Sequence, residues 1–343
     1  MKMITSREFI LNLTKNMTPK FRYDFKEDYK AWKERAKEKL EDLLGLPLEK
    51  AKCGNFKAEA PEIKGDLTYI RFTFESEDGY EVPACLVKKT DHVGKVPLVI
   101  CLQGHSTGMH ISLGETKYPG DVIEGGRDFA VRAAHEGCVA IAIEQRYMGV
   151  LGFGGTDGRP ACLHGNDDAG HANGTLLIGR CAIGERVFDV MRTIDVALIN
   201  FADIIDENKI IGIGNSGGGT ATFYAACIDE RISIGVPSCA VCTFEDSIMG
   251  MYHCYCNYVP GIRKYFDMGD IAGLMAERKL VIVSGKIDRI FPINGAKESF
   301  EIAKGVFNHI GNGDNVYHVV GDGGHQFYPD EVWPIIHELL KKC

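Results

Sequence analysis

The chain has 343 residues, 45% of them hydrophobic and 25% charged, a composition typical of a globular protein with a large core. Its formal net charge of −8 argues against nucleic acid as a partner, because nucleic-acid binding favours a basic surface. The sequence contains no run of about 18 apolar residues, the length that would predict a membrane span, so we expect no membrane partner.

The first residues are too charged for the apolar core of a signal peptide, although an export signal already removed stays an open alternative. Many of the twelve cysteines, such as Cys101 and Cys138, lie inside apolar runs. Free cysteine behaves there as a small hydrophobic residue. We therefore expect reduced, structural thiols and a cytoplasmic location.

The first 60 residues are charged and helix-prone. Residues 29–44 place Trp32, Leu40 and Leu44 at helical spacing, and Gly45 then ends the predicted helix. We interpret residues 1–60 as a helical extension packed on the main fold. Residues 67–74 and 80–87 follow as two β-segments around an Asp-Gly turn, which predicts an antiparallel hairpin.

Downstream of the hairpin, short and continuously apolar runs alternate with helix-like segments. Continuous hydrophobicity indicates strands covered on both faces, and the alternation with helices predicts a mostly parallel central sheet flanked by helices. The strand candidates are residues 97–102, 139–143, 210–214, 232–241, 280–284 and 316–320, and the helix candidates are residues 127–136, 179–201, 217–227, 295–307 and 328–342. We expect one α/β domain over residues 1–343.

Two segments, residues 146–178 and 244–265, fit neither pattern. We interpret them as cap or insert segments, with a surface insertion packed on itself as the alternative. The second is rich in aromatic residues, and we select Tyr252 and His253 in it as candidate substrate contacts. The first contains a weak metal-like set, which we interpret as a solvated turn cluster: His164, Asp167, Asp168 and His171.

Residues 214–218 have the pattern Gly-x-Ser-x-Gly around Ser216, between an apolar strand and a helix of small residues. This strand–turn–helix setting is typical of a nucleophilic serine, and the N–H of Gly217 at the helix start is a candidate oxyanion donor. A capping serine in a glycine-rich turn is the structural alternative. The segment is not a phosphate-binding P-loop, because no lysine follows the glycines. Residues 212–217 match the dinucleotide-binding pattern Gly-x-Gly-x-x-Gly, but Ser216 and the position of the strand in the sheet argue against that function.

A serine hydroxyl needs a base, and the base needs an orienting acid. The turn at Ser216 resembles that of α/β-hydrolases, and this resemblance implies the chain order serine, acid, histidine. Asp288 follows the predicted strand at 280–284, and His325 lies in the glycine-rich loop after the last strand. Glu245 or Asp246 is the rival acid. The other downstream histidines fall within helices or a strand, and we interpret them as packed or surface residues: His309, His318 and His337.

The loop after strand 97–102 is the expected source of the second oxyanion donor. Gly104 permits close backbone approach, and we select the N–H of His105, with Ser106 as the alternative. Pairing of His105 with His110 as metal ligands is a weak signal.

The Cys-x-Cys spacing of Cys254 and Cys256 is likewise a weak metal or disulfide signal. We expect no metal and no cofactor.

These motifs together resemble the α/β-hydrolase superfamily, most closely the bacterial acetyl xylan esterase-like and dienelactone hydrolase-like proteins. The resemblance rests on Gln103-Gly104-His105, residues 214–218, Asp288 and Gly324-His325, and the stretch from Trp32 to Pro47 is also similar. It implies an α/β-hydrolase fold, a triad of Ser216, Asp288 and His325, and hydrolysis of a small carboxylic ester through an acyl-enzyme.

Three departures from those relatives bear on the substrate. Many relatives have His-Gly where this chain has Gln103-Gly104, and dienelactone hydrolases use a cysteine at the position of Ser216. Related carbohydrate deacetylases have Arg-Gly-Gln where this chain has Glu144-Gln145-Arg146, and we select Gln145 as a candidate substrate contact.

A carbohydrate acetyl ester is therefore one candidate substrate among small-molecule esters. The alternatives are a peptidase-like or lactone hydrolase on the same fold, or a non-catalytic binding protein, against which the intact triad argues. Homo-oligomerisation stays open.

Overall fold

The computed structural model describes residues 3–15, 17–52, 54–118, 121–152 and 173–342. The strands are β1 (Lys57–Ala58), β2 (Glu62–Lys64), β3 (Leu67–Glu77), β4 (Tyr80–Lys89), β5 (Val96–Leu102), β6 (Val139–Ile143), β7 (Ile205–Asn215), β8 (Ile232–Ser238), β9 (Lys279–Gly285) and β10 (Val316–Gly321). The helices are α1 (Ser6–Lys15), α2 (Tyr29–Leu44), α3 (Phe129–His135), α4 (Ala182–Asn200), α5 (Gly217–Ile228), α6 (Met268–Ala272), α7 (Ile293–His309) and α8 (Pro329–Leu340).

One sheet contains all of these strands, in the order β1-β3-β4-β6-β5-β7-β8-β9-β10, with β2 paired to β3. The predicted hairpin is confirmed as β3 and β4, which pair antiparallel. The strands from β6 across to β10 pair parallel with one another. The prediction of a mostly parallel sheet flanked by helices is therefore confirmed.

Both faces of the sheet are buried, which explains the continuously apolar strand sequences. Along β5, Leu98 and Ile100 pack into the hydrophobic cluster on one face, while Val99 and Cys101 pack into the cluster on the other. Successive side chains of a strand point to opposite faces, so a strand covered on both faces needs apolar residues throughout.

The segment at 232–241 forms a shorter strand than its sequence predicts. Strand β8 ends at Ser238, because Cys239 has a φ of 47° and turns the chain out of the sheet. The apolar residues beyond it, Ala240 and Val241, are buried without being in the strand. Hydrophobicity alone reports this burial and does not distinguish it from strand structure.

The predicted helix over residues 29–44 is confirmed as α2. Asp28 caps its start by accepting a hydrogen bond from the Ala31 N–H at 3.0 Å, and Gly45 ends it with a φ of 72°. Trp32 and Leu40 on this helix belong to the same hydrophobic cluster as one face of the sheet. Helix α2 therefore shares the core of the main fold.

The parallel strands bring four loops to one edge of the sheet. The carboxyl ends of β5, β7, β9 and β10 lie at the same edge, which is where α/β proteins place their sites. In the part of the chain that the structure describes, no helix has both the length and the apolar character needed to cross a membrane. Most of the first predicted cap segment, with its metal-like set at His164, Asp167, Asp168 and His171, lies outside the described residues.

Candidate active site

Ser216 occupies a sharp turn between β7 and α5. Its backbone has φ 56° and ψ −122°, a strained conformation for a residue with a side chain. The turn is fixed on both sides, because the Ser216 N–H donates to the Ser238 carbonyl at 2.9 Å and the Ser216 carbonyl accepts from the Thr220 N–H at 2.8 Å. The predicted strand–turn–helix setting of Ser216 is present, with Ser216 half-buried at the helix start.

The glycines around Ser216 are required by close backbone packing. A Cβ on Gly218 would lie 2.1 Å from the Leu102 carbonyl oxygen, and a Cβ on Gly214 would lie 2.6 Å from the Gly218 carbonyl oxygen. Both distances are too short for a contact between non-bonded atoms. Strands β5 and β7 can therefore approach the start of α5 only when these positions lack side chains.

Asp288 and His325 form a hydrogen-bonded pair. Oδ2 of Asp288 lies 2.8 Å from Nδ1 of His325, while Oδ1 accepts the N–H groups of Ile290 at 2.8 Å and Phe291 at 3.2 Å. Burial opposes ionisation of Asp288, but the hydrogen bond and charge of His325 and these N–H groups outweigh it and hold the Asp288 pKa below its ordinary value. The ring of Phe291 stacks on His325 at 6.0 Å between centroids.

Ser216 and His325 line the same small cavity, which has a volume of about 70 Å³. Nε2 of His325 is buried and has no hydrogen-bond partner among the residues described, so the structure shows no hydrogen bond between it and Oγ of Ser216. Hydrogen bonds of this kind are often long before substrate binds. The other lining residues are Gln103, Gly104, His105, Ser106, Ile111, Arg127, Phe129 and Asn215.

The predicted oxyanion loop, residues 103–108, passes directly over Ser216. A Cβ on Gly104 would lie 3.3 Å from the Ser216 Cβ, and a Cβ on Gly217 would lie 2.5 Å from Cε1 of the His105 ring. Gly217 is the first residue of α5, so its N–H has no partner within the helix. The two predicted oxyanion donors, the N–H groups of His105 and Gly217, thus belong to backbone segments packed against each other at Ser216.

Hydrogen bonds from buried polar side chains fix the position of this loop. Oε1 of Glu144 accepts hydrogen bonds from Nε2 of Gln103 at 3.1 Å and from the Met109 N–H at 3.0 Å. Burial raises the pKa of Glu144 to about 8. Nε2 of Gln145 donates to the Gln103 carbonyl at 2.6 Å. Gln145, predicted as a substrate contact, is buried beneath the loop and is not among the described residues that line the cavity.

His110 binds Asp121 and not His105. Nε2 of His110 lies 2.9 Å from Oδ2 of Asp121. Burial opposes ionisation of Asp121, but hydrogen bonds from the Thr107 hydroxyl, two backbone N–H groups and His110 lower its pKa to about 2. The rival acid Glu245 is also engaged elsewhere, since its Oε1 accepts from Arg263 at 2.8 Å.

The two aromatic candidates of residues 244–265 lie outside the cavity wall as the structure describes it. Tyr252 is exposed and its ring contacts Tyr255. His253 is buried, and its Nε2 lies 3.0 Å from the Ser247 hydroxyl. Its ring packs edge-on against Phe291, so His253 supports the residue that stacks on His325.

Sequence reasoning did not find Arg127 and Phe129, which line the cavity. They lie at the start of α3, a helix that carries no catalytic motif, and only the packing of α3 beside β5 and β6 brings them to Ser216. No signal in the one sequence could have selected them.

No family model matches the sequence. The "Putative hydrolase YtaP" of Bacillus subtilis (strain 168) is 27% identical over 169 residues, which are 48% of this chain and 54% of that protein. The matched part of the chain thus spans about half the length of this relative.

Among solved structures, a putative acetyl xylan esterase from Bacteroides fragilis NCTC 9343 aligns with a TM-score of 0.73 at 14% identity, over 94% of this chain and 83% of that one. A glucuronoyl esterase from Solibacter usitatus aligns with a TM-score of 0.66 at 14% identity, over 91% of this chain and 93% of that one. Such likeness at low identity establishes the architecture. The chain therefore has the α/β-hydrolase fold, which it shares with these esterases.

Proposed function

We propose that the protein is a serine esterase in which Ser216, Asp288 and His325 form the catalytic triad. The observation that carries the proposal is the placement of Ser216, strained at the start of α5, in one cavity with a histidine whose Nδ1 is bound to a buried carboxylate. A carboxylate on Nδ1 leaves Nε2 free to accept a proton. This combination orients a base and exposes a nucleophile beside helix-start N–H groups.

In the proposed reaction, Nε2 of His325 takes the proton of Ser216 as Oγ attacks the ester carbonyl carbon. The N–H groups of Gly217 and His105 donate to the oxyanion that forms, and Asp288 stabilises the imidazolium. The bond to the alcohol oxygen then breaks, and His325 gives its proton to the leaving alcohol. Water, deprotonated by His325, next attacks the acyl-enzyme. The bond between the acyl carbon and Oγ of Ser216 then breaks, the acid leaves, and His325 returns the proton to Oγ.

The substrate is proposed to be a small carboxylic ester with a short acyl group. The cavity at Ser216 has a volume of about 70 Å³, room for a few water molecules or an acetyl group. Solved structures with the same fold include proteins named as acetyl xylan and glucuronoyl esterases. This likeness supports an esterified carbohydrate as the first substrate class to test.

The test is hydrolysis of p-nitrophenyl acetate by the wild-type protein and by Ser216→Ala. We expect Ser216→Ala to lower kcat/KM by at least about 10⁴-fold, because the nucleophile is lost while the binding groups remain. Ser299→Ala is the matched control, since Ser299 is a fully buried serine on α7. Equal turnover by wild type and Ser216→Ala would contradict the proposal, and absence of turnover for every acyl ester would favour a binding protein.

A second experiment addresses the substrate class. Acetylated xylo-oligosaccharides, methyl esters of glucuronic acid and aryl esters with acyl chains of increasing length are compared by kcat/KM. The small cavity predicts that kcat/KM falls as the acyl chain lengthens beyond a few carbons. A preference for long acyl chains would show that the cavity does not hold the acyl group.

A further inference from the structure

One imidazole and two thiols meet where the cap segment, residues 244–265, contacts the oxyanion loop. Nε2 of His105 lies 3.2 Å from Sγ of Cys256, and Sγ of Cys256 lies 3.2 Å from Sγ of Cys254. The three potential ligand atoms all lie within 4.8 Å of one another. His105 is separated from Cys256 by 151 positions in the sequence, so only the fold brings these side chains together.

The donor set and its dimensions suit a zinc ion. Bond lengths of about 2.3 Å to sulfur and about 2.0 Å to nitrogen place tetrahedral ligand atoms roughly 3.5 to 3.8 Å apart. The two contacts of 3.2 Å are shorter than this by a few tenths of an ångström, and all three pairs of atoms lie within 4.8 Å. Small side-chain movements would therefore bring the three atoms to tetrahedral spacing. Two thiolates and one imidazole favour a soft cation over Mg²⁺ or Ca²⁺, which take oxygen ligands.

The two thiols of the cluster are buried, and one of them accepts a hydrogen bond from a neighbouring arginine. Cys254 and Cys256 are both buried, and Ala182 at the start of α4 packs against them. The guanidinium of Arg186 donates from Nη1 to Sγ of Cys256 at 3.2 Å. An N–H donor stabilises a thiolate, and such outer contacts orient the ligands of metal sites.

We propose that Nε2 of His105 and the Sγ atoms of Cys254 and Cys256 bind a zinc ion through three protein ligands, with the fourth position taken by water or another group. Two thiolates neutralise the charge of Zn²⁺, which makes burial of the ion feasible. The ion joins the cap segment to the oxyanion loop. The site is a binding property of the fold and does not depend on the proposed esterase reaction.

The experiment uses the full-length protein, reduced and freed of metal, titrated with Zn²⁺ against a chromophoric chelator and separately with Co²⁺. We expect one equivalent to bind, with a sulfur-to-cobalt charge-transfer band and a rise in the unfolding temperature on adding Zn²⁺. Removal of an outer contact of a metal site lowers affinity by roughly 10–100-fold. Because Cys254→Ser and Cys256→Ser each remove a ligand itself, we expect each to lower Zn²⁺ affinity by more than this. Cys138→Ala, a buried cysteine outside the cluster, retains wild-type affinity.

His105→Gln provides an independent variant, because it removes the imidazole ligand at a partly exposed position and keeps the backbone N–H. It should fold normally, bind Zn²⁺ weakly and keep the cobalt–sulfur band at reduced affinity. Absence of zinc binding by the wild type under reducing conditions would overturn the proposal. Wild-type affinity in Cys254→Ser and Cys256→Ser, or a Cys254–Cys256 disulfide that survives reductant, would also overturn it.

Discussion

Replacing Asp288 by asparagine tests how the proposed base is oriented. Oδ1 of Asp288 already accepts two backbone N–H groups, from Ile290 and Phe291, while Oδ2 faces Nδ1 of His325. In Asp288→Asn the amide oxygen keeps the two N–H bonds, so the NH₂ group points at His325. Because an NH₂ group only donates, Nδ1 must become the acceptor and the proton moves to Nε2. Nε2 can then no longer accept the proton of Ser216.

We expect this change to lower kcat for p-nitrophenyl acetate by about 10⁴-fold, or about 5 kcal/mol of activation free energy. The effect on folding should be small, because asparagine has the same shape and keeps both backbone hydrogen bonds. Asp322→Asn is the matched control: Asp322 lies three residues before His325, with its side chain 96% exposed, and should retain wild-type activity. A folded Asp288→Asn protein with kcat within about tenfold of wild type would refute the orienting role of Asp288.

The remaining predictions concern stability. In a denaturant titration, the free energy of unfolding of Ser216→Gly should be about 1 kcal/mol higher than that of Ser216→Ala, because glycine adopts the backbone angles of this turn without strain. Gly218→Ala should lose about 3 kcal/mol or more, since its Cβ meets the Leu102 carbonyl oxygen at 2.1 Å. The free energy of unfolding of wild type relative to Glu144→Gln should fall as the pH rises from about 4.5 to about 8, because the folded chain holds the proton of Glu144 over that interval and the unfolded chain does not.

Each of these measurements has its own control. Ser216→Ala keeps the strain and lacks the hydroxyl, so equal stability of the Ala and Gly variants would show that the turn is not strained. Gly174→Ala is the control for Gly218, because Gly174 is exposed and has nothing within 4 Å of its would-be Cβ. A stability difference independent of pH for Glu144→Gln would show that Glu144 ionises at its ordinary pKa.

Local sequence determined most of the elements and the order of the chemical groups. Helical spacing and a glycine stop predict α2 to the residue, and an Asp-Gly turn between alternating segments predicts the β3–β4 hairpin. The pattern around Ser216 predicts the strained turn, because glycine is needed wherever backbone segments approach within a side chain's width. Asp288 and His325 were predicted by chain order, and the structure places them in a hydrogen-bonded pair.

Contacts between distant parts of the chain could be decided only by the tertiary structure. Sequence position selects three candidate substrate contacts: Gln145, Tyr252 and His253. The direction in which each side chain points depends on its burial and its hydrogen-bond partners, and other elements of the fold determine both.

The same reason applies to residues that the sequence did not select. Arg127 reaches the cavity only because α3 packs beside the sheet. His105 meets Cys256 only because the fold packs residues 254–256 against the loop after β5. Periodicity and motifs report a residue's neighbours in sequence, whereas these contacts depend on how whole elements pack against one another.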